Sequence, residues 1–223
     1  MCGRYALWGV DLLGRRFLIL DPTLGFRSHF NIAPQTENPI VVTAHDGNHI
    51  RMMQWGLVPH WSKDVSATHR PINARAEGIM EKPMFRGLLK DKRCLVPASG
   101  FYEWKKEGTH KVPFYIHMPN EPVFGFAGLY DVWQDASGQA RQTYTIITTE
   151  ANSLMAPIHN RMPVILTRDD EQRWMSSDTL PPNEVKRILV PYPSGEMEVH
   201  PVSSRVNSPT VDDERLIQPL QGL

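Results

Sequence analysis

Cysteine is scarce in this sequence, which has only Cys2 and Cys94 among its 223 residues. Two thiols this far apart, in a chain whose start lacks the apolar stretch of an export signal, argue against a disulfide. They are also too few for a zinc site unless histidines join them, and the nine histidines show no metal-ligand spacing. We therefore expect reduced thiols, no bound metal and no cofactor.

Long apolar runs and net charge are missing as well. No segment approaches the ~18 consecutive apolar residues that a membrane span needs. The nearest candidate at the start of the chain, LLGRRFLIL, is interrupted by two arginines. The 24 basic residues are balanced by 24 acidic ones, so the formal net charge is zero. We therefore expect no membrane partner, and any nucleic-acid site must be a local cluster of basic side chains.

The chain is rich instead in short β-like segments separated by polar turns. The segments PIVVTA and IRMMQWGLV, joined around HDGNH, predict a β-hairpin because Asp-Gly favours a tight turn. Further strands are predicted in RCLVPA, GFYEWKK, VPFYIHM, PVFGFAGLYDVW and RQTYTIITT. Helices are predicted in DLLGRRFLIL, in TRDDEQRWM with Thr167 as the N-cap, and in NEVKRILV. The 19 prolines are spread along the chain rather than gathered in a linker, so we predict one α+β domain over residues 1–223, built around an antiparallel sheet or barrel.

Cys2 follows the initiator methionine directly, which raises the question of its role. Removal of Met1 would leave a residue with an α-amine and a thiol on adjacent carbons. Both groups are nucleophiles near neutral pH, since a free α-amine titrates at about 7.7–8.0 and a free thiol at about 8.5. The alternative is that Cys2 is an incidental small residue at a mobile terminus.

Two other residues are candidates for proton transfer. Glu103 in GFYEW stands between Tyr102 and Trp104, and partial desolvation there would raise the pKa of its carboxyl. Strand alternation allows the opposite interpretation, in which Glu103 faces water and the two aromatic rings face the core. His159 in IHNRMP can act as a general acid–base or can be an ordinary loop residue.

Polar residues in two further segments attract attention. In INARAE, Asn73 and Arg75 would point to the same face of a strand, with Glu77 next in line. In FNIAPQ, Asn31 can be explained simply as a turn residue ahead of Pro34. These residue types suit a polar site, but their spacing alone does not show that they meet.

Taken in order, six motifs resemble those of one known family. They are MCGRY, NIAPQ, QWGLVPHW, INARAE, CLVPASGFYEWKK and IHNRMP. The set is similar to the SRAP (SOS response-associated peptidase) family, and the resemblance runs from Cys2 to about Pro201. It implies a mixed α+β fold around a small β-barrel. It also implies covalent capture of abasic sites in single-stranded DNA.

The resemblance assigns roles to four catalytic positions. The α-amine of Cys2 would form a Schiff base with the aldehyde of the ring-opened sugar, and its thiol would then close a thiazolidine. Glu103 matches the acid that assists sugar ring opening. His159 matches a proton shuttle for the Schiff-base steps, and Asn73 matches the residue that orients the sugar and Cys2.

The resemblance also implies a DNA channel. Its phosphate-binding arginines correspond to Arg4, Arg75 and Arg161. Its other lining positions correspond to Asn31, Pro34 and Trp61. The segment SKDVSATHR at 62–70 is longer and more polar than expected for bacterial relatives, which leaves the role of this loop and of Trp61 open.

Other functions remain open at this point. Cys2 and His159 would also suit a thiol autopeptidase or amidase, and a non-covalent reader of modified bases in DNA is a third possibility. Strand cleavage by β-elimination is left open beside crosslinking. We expect a monomer without an obligate protein partner, located in the cytoplasm and associated with the nucleoid when it acts on DNA.

Overall fold

Twelve strands and five short α-helices form the described part of the chain, residues 2–20, 25–63 and 70–220 of a computed structural model. The strands are β1 (Tyr5–Leu7), β2 (His29–Ile32), β3 (Glu37–Ala44), β4 (Gly47–Trp55), β5 (Asn73–Arg75), β6 (Arg93–Ala98), β7 (Gly100–Glu107), β8 (His110–His117), β9 (Phe124–Gln134), β10 (Ala140–Glu150), β11 (Arg161–Pro163) and β12 (Glu198–Pro201). The helices are α1 (Leu13–Arg16), α2 (Pro83–Arg86), α3 (Leu88–Asp91), α4 (Arg168–Met175) and α5 (Pro182–Ile188).

Five of the strands close into a small barrel. Their order is β10-β4-β3-β6-β9, and β9 pairs again with β10 to complete the ring. The β4–β10 pairing is parallel and the others are antiparallel, so the barrel is mixed. The short strands β5 and β11 attach to the end of β10, with Asn73 opposite Ile146 and Arg161 opposite Glu150. Two of the predicted site segments, INARAE and IHNRMP, are therefore held beside the same barrel strand.

The other five strands form an antiparallel sheet in the order β12-β8-β7-β1-β2. The chain passes directly from barrel strand β6 to sheet strand β7 through Ser99, whose backbone N–H donates to the Ala6 carbonyl at 2.7 Å. The first residue of β7 is Gly100, and the ring of Tyr115 packs directly against it, which leaves no room for a side chain. A Cβ at this position would stand 2.3 Å from that ring.

Strand β1 is anchored to the barrel by Tyr5. The Tyr5 ring meets Trp55 edge-on at 5.3 Å, and its hydroxyl lies 2.7 Å from the hydroxyl of Tyr144. All three side chains are fully buried. Since Cys2 lies three residues before Tyr5, this anchor also determines where the start of the chain runs.

The sequence predicted most of these elements correctly. The hairpin is β3–β4, with His45 and Asp46 between the paired residues Ala44 and Gly47. The predicted N-cap of α4 is confirmed, because the Thr167 side chain accepts a hydrogen bond from the backbone N–H of Asp170. The predicted fold class is confirmed too: an α+β structure with a small mixed barrel and peripheral helices.

The helix predicted over residues 11–20 is largely wrong. A 3-10 turn at Val10–Leu12 and the four residues of α1 replace it. Leu18 adopts a left-handed backbone conformation (φ 53°), which ends the helix. Ile19 then forms a parallel bridge with Asn48 of β4. Pairing with the barrel therefore overrides the helical spacing of the apolar residues.

No described helix combines the length and the apolar character that a bilayer crossing requires.

Candidate functional site

Cys2 and Glu103 are brought together by the pairing of β1 with β7. Tyr5 lies opposite Phe101, and the backbone N–H of Tyr102 donates to the Arg4 carbonyl at 3.0 Å. Because this register is antiparallel, the residues before β1 run beside Glu103. Cys2 is completely buried, and Glu103 is 2% exposed.

The Cys2 side chain is held as a thiol. Its Sγ lies 3.9 Å from the Arg4 carbonyl, to which it donates a weak hydrogen bond. Burial raises the pKa of the Cys2 thiol, and the negative charge of Glu103 raises it further. The site therefore does not stabilise a thiolate at Cys2 in this state.

The Glu103 carboxyl has the desolvated environment that one of the two sequence interpretations required. Burial raises its pKa, and the nearby charge of His159 acts in the opposite direction. The interpretation that strand alternation turns Glu103 to water is wrong, because Tyr102 and Glu103 are both buried. This follows from tertiary structure: the start of the chain covers the face of β7 that carries Glu103, and Tyr102 packs on the other face, in a smaller apolar cluster.

Asn73 links strand β5 to Cys2. Its Nδ2 donates to the Cys2 carbonyl at 2.8 Å. Its Oδ1 is buried and has no hydrogen-bond partner among the described residues. A buried acceptor without a partner typically costs about 1–3 kcal/mol, so such atoms often mark a position where a ligand binds. A donor group of a bound molecule beside Cys2 would satisfy this oxygen.

His159 lies just before β11 and is oriented by the backbone of Arg161. The Arg161 backbone N–H donates to His159 Nδ1 at 3.0 Å, which makes Nδ1 an acceptor and leaves the proton of the neutral ring on Nε2. When the ring is protonated, Nδ1–H has the Arg161 carbonyl at 3.3 Å as an acceptor. Both protonation states of the ring therefore find a partner in the same place.

The Arg161 guanidinium is occupied by protein groups. Its Nη1 and Nη2 donate to Glu77 Oε1 and Oε2 at 2.5 and 3.0 Å, and Nη2 also donates to the Thr148 carbonyl at 2.6 Å. Glu77 is not the next residue of a strand, as the sequence suggested, because the chain turns into a 3-10 helix at Ala76–Gly78. This ion pair was not predicted from the sequence, in which the position of Glu77 in INARAE is its only signal.

Arg4 and Asn31 clamp the C-terminal part of the chain. Arg4 Nη1 donates to Asn31 Oδ1 at 2.7 Å and to the Val206 carbonyl at 2.8 Å. Asn31 Nδ2 donates to the carbonyls of Ser208 and Val211 at 2.9 and 2.7 Å. The interpretation of Asn31 as a turn residue is wrong, since it lies on β2 and is buried. Both residues thus have internal partners in this structure.

The remaining predicted DNA-contact residues lie at or near the surface. Pro34 begins the turn after β2, in which Gln35 has a left-handed φ of 71°. Trp61 is 59% exposed, and Arg75 is exposed at the end of β5. Residues 64–69 of the polar loop at 62–70 lie outside the described residues.

A cavity elsewhere in the protein, with a volume of about 670 Å³, contains none of the predicted site residues. It lies between the β3–β4 turn and helices α3 and α4. Arg93 lines it, but its guanidinium donates to the backbone carbonyls of Trp174 and Ser176 and so stabilises helix ends. Within the described ranges, no group of three or more His, Cys, Asp or Glu side chains is arranged to hold a metal ion.

Replacing Glu103 with Gln is expected to raise the thermal stability of the unliganded protein at pH 8. Because burial raises the pKa of this carboxyl, the native state holds its proton more tightly than the unfolded chain, and ionisation opposes folding. The gain should be full above the native pKa and should shrink as the pH falls toward the ordinary value of about 4.3. Melting temperatures at pH 8, 6 and 4.5 measure it, at about 2–4 °C per kcal/mol.

The matched control is Glu107→Gln, on the same strand but exposed to solvent. It should change the melting temperature little at any of these pH values. A Glu103→Gln protein that melts below the control at pH 8 would contradict the assignment of a desolvated carboxyl.

Comparison with known proteins provides a family and several relatives. The sequence model of the family "SOS response associated peptidase (SRAP)" matches residues 1–209. The chain is 40% identical over 221 residues to the abasic site processing protein YoaM of Bacillus subtilis, covering 97% of both chains. It is 31% identical to the abasic site processing protein HMCES of Gallus gallus, with 88% of this chain and 67% of that protein aligned. A crystal structure of a protein from Bacteroides thetaiotaomicron superposes with a TM-score of 0.86 at 31% identity, covering 98% of this chain and 100% of that one.

Proposed function

Since this chain belongs to the SOS response-associated peptidase (SRAP) family, we propose that it processes abasic sites in DNA by covalent capture through Cys2. The relatives' names support DNA abasic sites as the substrate. The observation that carries the covalent step is a buried Cys2 held by Asn73 next to a desolvated Glu103. We also propose that residues 1–223 form one SRAP-like domain and that the protein acts as a monomer.

The proposed reaction begins once Met1 has been removed, since the Cys2 nitrogen is otherwise part of a peptide bond. The free α-amine attacks the aldehyde carbon of the ring-opened sugar, and loss of water gives an imine. The Cys2 sulfur then adds to the imine carbon, and its proton ends on the nitrogen. The resulting thiazolidine ring contains sulfur, Cβ, Cα, nitrogen and the sugar carbon, and no oxidant or reductant is needed.

The environment of Cys2 favours this order of the two nucleophiles. Burial and Glu103 raise the pKa of the thiol, so a free thiolate is scarce before the substrate arrives. The amine is therefore the first nucleophile, and the sulfur acts once the imine carbon lies next to it. A thiol peptidase would need the opposite, because a His-activated cysteine has a lowered pKa.

Glu103, His159 and Asn73 take separate roles in this scheme. Glu103 exchanges a proton with the sugar during ring opening, for which a carboxyl with a raised pKa is suited. His159, with its proton on Nε2, serves the formation and breakdown of the imine. Asn73 orients Cys2 through the hydrogen bond to its carbonyl and presents Oδ1 to a hydroxyl of the sugar.

We propose a single strand of DNA as the partner. Arg75 and Arg161 would contact phosphates, which fix the position of a strand without reading its sequence. Trp61, with its exposed ring, suits stacking on an unpaired base, and Pro34 lies in an accessible turn. Arg4 and Asn31 would support the wall of the channel through their hydrogen bonds to each other and to the C-terminal segment. Such a partner would place the protein with the DNA, in the cytoplasm and at the nucleoid.

The direct test is intact-mass spectrometry after mixing the protein with a single-stranded oligonucleotide that contains one abasic site. We expect the protein to lack Met1 and to gain the mass of the oligonucleotide less one water, in an adduct that survives heating. An undamaged oligonucleotide of the same sequence should give no adduct. Fully trimmed protein without any mass-shifted species would reject covalent capture.

Two further assays separate covalent capture from a thiol peptidase and from a non-covalent reader of modified bases. A peptidase would cleave a generic peptide and leave the abasic oligonucleotide unmodified. A non-covalent reader of modified bases would bind DNA equally well after its α-amine has been acetylated, whereas acetylation should abolish the adduct.

A further inference from the structure

Glu77 contacts Arg161 in a way that resembles the binding of a phosphate. The two carboxylate oxygens face the two terminal nitrogens of the guanidinium, and Nη2 also donates to the Thr148 carbonyl. The remaining nitrogen, Nε, is buried and has no hydrogen-bond partner among the described residues. The edge of Arg161 that would receive a phosphate therefore already carries a carboxylate.

We propose that Glu77 competes with DNA phosphate for Arg161 and thereby weakens the reversible binding of every single strand. This inference rests on the proposed function, in which Arg161 contacts the backbone of DNA. Carboxylate and phosphate suit the same bidentate fork of arginine, so the two anions exclude each other at that edge. Glu77 must move away before a phosphate can bind.

The exposure of the two side chains permits this exchange. The Glu77 side chain is 54% exposed and can turn into solvent, whereas the Arg161 side chain is 13% exposed and is held by Thr148. The hydrogen bond from Arg161 also lowers the pKa of the Glu77 carboxyl, so the competitor remains ionised at neutral pH. The competition is therefore present at neutral pH.

The consequence is discrimination by chemistry rather than by affinity. Displacement of Glu77 opposes binding of damaged and undamaged strands equally, because the phosphates of the two are alike. Only an abasic site forms the covalent bond to Cys2, which offsets the weaker initial binding. An undamaged strand has no such bond and dissociates sooner.

The test measures binding of an undamaged, fluorescein-labelled oligothymidylate by anisotropy, across a series of salt concentrations. Glu77→Gln is expected to bind up to about fivefold more tightly than the wild type, because one exposed ion pair no longer competes. The slope of log affinity against log salt should steepen only slightly, because Arg161 holds one phosphate in both complexes and salt screens only the competing Glu77 ion pair. Loss of local order would instead weaken binding, so the direction of the effect separates the two explanations.

Two controls separate competition from the general loss of a negative charge. Glu150→Gln removes an exposed acid opposite Arg161 in the β10–β11 register, and among the described residues Glu150 has no ion pair with it. This control should tighten binding much less than Glu77→Gln. In an Arg161→Ala background the benefit of Glu77→Gln should disappear. Equal gains for the two glutamates, a gain that persists without Arg161, or weaker binding by Glu77→Gln would each overturn the inference.

Failure of the inference can be distinguished from failure of the proposed function. A wild-type protein that forms the abasic adduct, together with a Glu77→Gln variant that binds no more tightly, rejects only the competition. A wild-type protein that neither binds single strands nor forms an adduct rejects both.

Discussion

Cys2→Ala is expected to abolish the heat-stable adduct with abasic single-stranded DNA. Alanine keeps the α-amine after Met1 is removed, so an imine can still form, but no sulfur is present to close the ring. The remaining imine is reversible and should be detected only when borohydride reduces it to an amine. We expect the stable adduct to fall below detection while the borohydride-trapped species persists.

Cys94→Ala is the matched control for this experiment. Cys94 is the second buried cysteine, on β6 in the barrel, and burial raises the pKa of its thiol as well. The control protein should lose some stability to a small cavity but should form the adduct normally. A stable adduct in Cys2→Ala, or its loss in Cys94→Ala, would mean that the thiol of Cys2 does not play the role proposed.

Cys2→Ser sharpens the assignment of the sulfur. Serine keeps the amine and a hydroxyl in the same place, but the oxygen is a poorer nucleophile toward an imine. We expect a ring-closed product to accumulate far more slowly than in the wild type and to reverse on heating. This variant would show that the chemistry of sulfur, rather than the size of the side chain, makes the adduct durable.

Glu103→Gln and His159→Ala are expected to slow crosslinking at different steps. General acid–base groups typically contribute about 10²–10⁴-fold to a rate, so both defects should be measurable. Glu103→Gln keeps the shape of the side chain but cannot exchange a proton with the closed sugar. On a substrate whose aldehyde is already open, the crosslinking rate of this variant should approach that of the wild type.

His159→Ala should remain slow on both substrates, because this residue acts on the imine. Its preformed crosslink should also release more slowly, since the same group would serve the reverse reaction. The measurement is single-turnover adduct formation, followed on gels for a normal abasic strand and for a strand with an open aldehyde. Equal defects of both variants on both substrates would show that the roles are not divided in this way.

The pH dependence provides a second criterion for Glu103. Burial raises the pKa of this carboxyl. The rate of adduct formation on the normal abasic substrate should therefore depend on pH at values above the usual titration range of a glutamate. That component of the profile should be absent in Glu103→Gln. It should also be absent for the wild type on the open aldehyde, where ring opening is no longer required.

Local patterns in the sequence predicted much of the fold. The strands follow from short segments of β-branched and aromatic residues between polar turns, and the start of α4 follows from Thr167 ahead of three acids. The role proposed for Cys2 also came from the sequence, since only a cysteine behind a removable methionine would offer an amine and a thiol together. These features depend on residues close to one another in the chain, which is why the sequence alone revealed them. The roles of the site residues and the single-domain organisation stay predictions.

Only the tertiary structure decided which side chains meet. From strand alternation alone, Glu103 could face either the core or the solvent. Its burial depends on the start of the chain, which reaches β7 because Tyr5 anchors β1. Leu18 ends a helix that its own neighbours favour, because Ile19 pairs with the barrel. Glu77 and Arg161 are separated by 84 positions and meet only because β5 and β11 both attach to β10. Residue types and local spacing determine elements and intrinsic reactivity, whereas burial, pKa and ion pairing depend on distant segments that packing brings together.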